Sequence, residues 1–138
     1  MRKASSAIIA LVSLAACGPS YVPPEEAMTI ATRHGAEIIS YEEVVIKAAF
    51  RSGSAIAEIE RADCTLTYRG GTTRFSAPHR VRIPIHDGPQ ADLGVECEAE
   101  IGPAAVKSAR VIKPSVPAHS KDAPEQRIYP DRFAVTFR

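Results

Sequence analysis

Residues 79–101 read His79-Arg-Val-Arg-Ile-Pro-Ile-His86 and then Asp87-Gly-Pro-Gln-Ala-Asp-Leu93-Gly-Val-Glu-Cys-Glu-Ala-Glu-Ile101. Val81, Ile83 and Ile85 alternate with Arg80, Arg82 and Pro84. Leu93, Val95, Cys97, Ala99 and Ile101 alternate with Gly94, Glu96, Glu98 and Glu100. A period of two is that of a strand with one buried face. Asp87-Gly88-Pro89 punctuates the two runs as a turn. Closed as a hairpin, they set Arg80 and Arg82 against Glu96, Glu98 and Glu100, with Cys97 beside Val81 or Ile83. Opposite charges across a ladder contribute roughly 0.2 to 1 kcal/mol per pair, so this stripe reads as register control and not as a binding patch. Pro84 has no N–H to give a ladder and belongs at a sheet edge or a bulge.

The same period extends along most of the chain from residue 55. Further strands are expected at Ala55–Glu60, Cys64–Arg69, Thr73–Ser76, Ala105–Ile112 and Arg132–Phe137, with Gly70-Gly71 as another turn signal. Short strands with frequent turns predict a mainly β fold, a small antiparallel β-sandwich or open barrel. Residues 36–51 fit both periods: Ile38, Tyr41 and Val45 mark a helical face, while Val44, Ile46, Ala48 and Phe50 alternate. The β-branched run at 44–46 favours strand for the second half. Ahead of it, Glu25 and Glu26 after Pro23-Pro24, with Gly35 as a stop, predict one short N-terminal helix over 24–34. Residues 113–131, with four prolines, read as a long surface loop that could gain order on contact with a partner.

The 138 residues allow one domain, and 45% apolar with 24% charged side chains is the balance of a globular protein with a true core. Seventeen basic against 16 acidic groups give +1, which argues against nucleic-acid binding of the usual basic kind. Tryptophan is absent and aromatics are 6%, so a stacking platform for bases or sugars is poorly supported.

Residues 1–17 are Met-Arg-Lys-Ala-Ser-Ser-Ala-Ile-Ile-Ala-Leu-Val-Ser-Leu-Ala-Ala-Cys: a charged start, a short apolar run and small residues. This is the make-up of a secretory signal, and the run is too short to span a hydrocarbon core that takes about 20 helical residues. Leu14-Ala15-Ala16-Cys17 resembles the lipobox of bacterial lipoprotein precursors. The resemblance covers the first 17 residues or so. It implies cleavage after Ala16, lipidation of Cys17 and acylation of the new amino terminus. Gly18 in place of Asp implies export to the outer membrane in a double-membrane host. The domain plan that follows is a signal peptide over 1–16, a lipid-anchored linker over 17–24 that lifts the domain off the bilayer, and one mainly-β domain over 25–138. Two acyl signals hold a protein on a membrane where one binds only marginally. Loss of Arg2 and Lys3 with the leader would leave 15 basic side chains against 16 acidic ones.

With Cys17 assigned to lipid, Cys64 and Cys97 remain as a pair in an oxidising compartment. Each is in phase with an apolar strand face, so both sulfurs point inward and a structural disulfide is expected. A closed loop of about 34 residues would contribute roughly 3 to 4 kcal/mol in the chain-entropy model. A redox pair or a metal site is the alternative, but the chain has no CxxC.

The four histidines, His34, His79, His86 and His119, form no HxxxH or HExxH, and no serine sits in GxSxG. His79 and His86 differ by an odd number on one strand and point to opposite faces, so they do not share a metal. Each histidine reads as a solvated residue. Glu25-Glu26 and Glu42-Glu43 are sequence neighbours with nothing to raise a carboxyl pKa. No catalytic residue, no metal ligand and no cofactor site is expected.

Over residues 53–102 an inward cysteine, Gly-Gly, a proline ahead of Arg-Val-Arg-Ile-Pro-Ile and a second cysteine strand resemble the PEGA-like surface modules of bacterial lipoproteins. The Pro-Glu-Gly-Ala signature is missing; residues 62–65 are Ala-Asp-Cys-Thr. That resemblance implies no function. The features together lead to the expectation of a non-enzymatic outer-membrane lipoprotein facing the periplasm. It would be joined to the membrane through Cys17 and would bind an envelope protein as an assembly accessory. The alternative is a small ligand-binding or enzyme-inhibiting lipoprotein.

Overall fold

In the computed structural model, residues 20–122 and 126–138 are described. The expected leader, Cys17 and Gly18 lie outside them, as does the 123–125 tip of the proline-rich loop. The strands are β1 (Met28–Thr29), β2 (Ile38–Ser52), β3 (Ala55–Glu58), β4 (Ala62–Tyr68), β5 (Gly71–Ala77), β6 (His79–His86), β7 (Gly88–Pro89), β8 (Leu93–Ile101), β9 (Ala104–Ile112), β10 (Ala118–His119) and β11 (Arg132–Phe137). One sheet runs β1-β6-β2-β11, with β3 pairing on β2 beyond the end of β6; the other runs β5-β4-β8-β9. β7 and β10 form a separate two-stranded clip.

Alternation explains how the two sheets meet. Val44, Ile46 and Ala48 of β2, Val81, Ile83 and Ile85 of β6, and Phe133, Val135 and Phe137 of β11 face Leu66 and Tyr68 of β4, Phe75 of β5 and Leu93 and Val95 of β8 in one buried cluster. Each such aliphatic or aromatic side chain contributes about 1.5 to 3 kcal/mol by leaving water. Cys64 and Cys97 are directly opposed in the β4–β8 ladder and joined as a disulfide, Cα atoms 4.0 Å apart, in the middle of the second sheet. The sheets do not close into a barrel. Along one seam Ser108 Oγ of β9 donates to Thr136 O at 2.6 Å and Arg110 Nη1 donates to Ala134 O at 2.9 Å, so side chains satisfy the edge of β11.

The strands lie where the period of two placed them, and the ambiguous stretch 36–51 is extended from residue 38 on, as part of one strand, Ile38–Ser52. Other expectations need correction. No helix forms over 24–34. The segment is drawn out across the molecule instead: Ile30 N–H donates to Arg82 O, Ala31 N–H to Thr73 Oγ1, and Arg33 and His34 N–H to Arg69 O. Bonds reaching both sheets outcompete a weak local helix signal. The strap lies so close to the β4–β5 turn that a Cβ on Gly71 would sit 2.2 Å from Ala31 O.

The hairpin between residues 79–86 and 93–101 is also absent, because β6 and β8 belong to different sheets. Arg82 faces Glu43 of β2, and Arg80 reaches the Glu43 carboxylate at 3.8 Å. Cys97 lies beside Cys64 and Ser108, not beside Val81 or Ile83. Two pairings, β1 with β6 and β11 with β2, are parallel. Pro84 is at an edge, as its chemistry requires: its carbonyl, on the side away from β2, accepts the Tyr68 hydroxyl, and β1 has ended before reaching it.

Candidate functional site

The long loop was expected to cross the surface, yet the structure pins it down. Ile128 and Tyr129 are 1% exposed and belong to the core. Glu42 of β2 holds them there, its Oε2 accepting the Ile128 N–H and its Oε1 the Tyr129 N–H, both at 2.9 Å. The neighbouring Glu43 carbonyl accepts the Arg127 guanidinium. On the loop's other limb Ser115 N–H donates to Ile128 O at 2.8 Å and Ser115 Oγ to Arg127 O at 2.7 Å. Gln90 N–H donates to Pro117 O at 2.9 Å, beside the β7–β10 clip. Residues 115–122 are therefore displayed on a fixed frame at the end of the sandwich where β2 begins.

Beneath the loop lies a cluster of aromatic and polar side chains. Tyr68 and Tyr129 meet edge to face, ring centres 6.1 Å apart. The Tyr68 hydroxyl donates to Pro84 O at 2.8 Å and accepts Arg69 Nε at 3.1 Å, while Arg69 Nη2 donates to Pro89 O at 2.7 Å. The Tyr129 hydroxyl donates to Ala91 O, and burial, the main cause, pushes its pKa above the ordinary tyrosine range. His86 was expected in solvent but is buried; Gly35 (φ +148°) packs so closely that a Cβ there would be 2.6 Å from the imidazole. Burial first, and the Arg69 charge second, lower the His86 pKa and keep the ring neutral. His86 Nδ1 and Gln90 Oε1 are buried without a partner among the described residues.

Chemically this cluster is a clasp. Both tyrosine hydroxyls, both oxygens of Glu42 and the Arg69 guanidinium are committed to backbone or to one another, so their role here is to join loop, clip and sheets. Next to it is a cleft of about 390 Å³ between Asp87 and Gly88 on one side and Val116, Ala118, His119 and Ser120 on the other.

The remaining sequence-selected residues are scattered. His119 is buried, against expectation, and borders the cleft; His34 is exposed, its ring against Gly70; His79 packs on Phe75 with ring centres 6.3 Å apart. Among the described residues no three metal-ligating side chains converge. Glu96, Glu98 and Glu100 do share an exposed face, where Glu98 meets Lys107 at 3.9 Å and lies across from Asp63. Sequence reasoning missed Glu42, Arg69 and Tyr129 as a group. The one available signal was the apolar pair Ile128-Tyr129 inside an otherwise polar, proline-rich stretch. Comparison with family models, with curated proteins and with solved structures finds no match to this chain.

Proposed function

We propose that the chain is a non-enzymatic lipoprotein, anchored through Cys17 to the outer membrane on its periplasmic face, whose β-sandwich binds another envelope protein as an assembly or stabilising accessory. The observation that carries this reading is the clasped loop. A loop held by Glu42, Arg127 and Tyr129 meets a partner already ordered and loses little entropy on binding. The Leu14-Ala15-Ala16-Cys17 sequence supports the anchor, and the buried Cys64–Cys97 bridge agrees with an oxidising compartment.

The test is cross-linked affinity purification of the full chain from its own envelope, read by mass spectrometry. One stoichiometric partner is expected, and Ala118→Arg on the exposed loop should lose it while keeping the disulfide. Recovery of the chain alone would overturn the proposal. Cys17→Ser should abolish acyl labelling and leave an uncleaved precursor; a normally processed soluble product would refute the anchor.

The cleft beside His119 favours a second reading, a small-ligand module, because its size falls near the lower end for ligand sites. Native mass spectrometry of freshly extracted protein separates the two: a bound small mass that Ala118→Arg removes would favour the ligand.

A further inference from the structure

The chain is tied down almost as soon as it enters the described structure. Tyr21 N–H donates to Glu58 Oε2 at 2.8 Å, and Lys47 Nζ holds Oε1 of the same carboxylate at 2.9 Å. These bonds, that from Lys47 foremost, keep the Glu58 carboxyl below its ordinary pKa and so ionised near neutrality. Glu58 lies opposite Ala49 in the β2–β3 ladder, and two residues away Ile56 lies opposite Arg51. Lys47, Arg51, Ile56 and Glu58 thus share one face at the far end of β2 from the clasped loop. Two large apolar side chains there are open to solvent, Val22 at 87% and Ile56 at 60%.

Distance decides what this end meets. A residue of chain reaches at most about 3.6 Å, so Tyr21 can lie no farther than about 14 Å from Cys17. A strand of 15 residues such as β2 spans on the order of 45 Å. A chain acylated at Cys17 and caught at Tyr21 therefore keeps its β2–β3 end near the lipid, whichever way the rest leans.

We infer that the β2–β3 end is a membrane-docking surface: Val22 and Ile56 enter the headgroup layer of the bilayer holding the Cys17 acyl chains, and Arg51 meets anionic lipid phosphates. The inference rests on the acylation of Cys17 proposed above. It replaces a domain lifted clear of the bilayer with one that lies on it, and it points the clasped loop away from the membrane, toward a periplasmic partner. Val22 and Ile56 supply apolar area to bury among the headgroups, and Arg51 supplies attraction to anionic lipid.

The absence of tryptophan makes the test direct, since one introduced residue reports alone. Ile56→Trp and, at the opposite end of β2, Ile38→Trp are made in the full acylated chain, with acylation confirmed by intact mass. Both positions are exposed, so neither substitution disturbs the core. Each variant is reconstituted in vesicles of phosphatidylethanolamine and phosphatidylglycerol with brominated acyl chains. The Ile56→Trp variant should lose the larger part of its emission and the Ile38→Trp variant should keep nearly all of it. Adding Glu58→Ala to Ile56→Trp should restore much of the emission by releasing Tyr21. Equal quenching at the two positions in acylated protein, or no response to Glu58→Ala, overturns the docking surface and leaves the anchor standing. A chain that carries no acyl mass refutes the anchor itself, and this inference with it.

Discussion

At the scale of single residues, His86 shows how burial sets chemistry that spacing does not reveal. Its burial depends on Gly35 and Tyr68, which are distant in sequence. A histidine whose folded pKa is lowered binds its proton more readily when unfolded. Its contribution is therefore complete above the unfolded value, about pH 6.5, and is lost as pH falls from there through the folded value. Stability measured by urea titration should accordingly be level from pH 8 to about 7 and decline toward pH 5. His86→Asn should lower the plateau and flatten the decline. An unchanged slope in that variant would assign the pH dependence to another group. Cys64 and Cys97 were the more legible residues, because each lies in phase with the apolar face of its own strand and the bond joins those two faces.

At the scale of elements, alternation located the strands but not their neighbours. Val81, Ile83 and Ile85 satisfy any sheet that offers an apolar face, and Arg80 and Arg82 accept any acidic strand; Glu43 fills that role where Glu96 and Glu98 had been expected. The hairpin inference assumed that runs adjacent in sequence pair, whereas the chain turns through β7 into the other sheet. The expected helix failed for a related reason, since Glu25, Glu26 and Gly35 are local signals and the strap is held by Arg82, Thr73 and Arg69. The Glu42 clasp is likewise long-range and had no periodic signature. Replacing Glu42 with Ala strands two amides, at a cost of roughly 1 to 3 kcal/mol in each case if they remain buried. Amide exchange at 126–130 should accelerate strongly while β4 and β8, joined by the disulfide, stay protected. Uniform acceleration across both sheets would show that the loop is part of the global folding unit and not a separately held element.

At the scale of the whole molecule, two sheets share one core without sharing a backbone ladder along the β9–β11 seam. Unpaired strand edges invite pairing with other chains, and here Ser108 and Arg110 occupy the β11 carbonyls that would otherwise be offered. The double variant Ser108→Ala/Arg110→Ala should keep its circular dichroism and acquire concentration-dependent association, visible by light scattering. A variant that stays monomeric at high concentration would show that the edge is protected by other means. The sandwich class was legible from strand number and length, but its mixed pairing was not, because nothing in the last strand states which earlier strand it joins. That last pairing has a temporal meaning. Residues 45–50 acquire their second neighbour only from residues 132–137, laid alongside in the same direction. A chain threaded amino terminus first through a narrow exit therefore carries its central strand half-matched until residues 132–137 have emerged beside it.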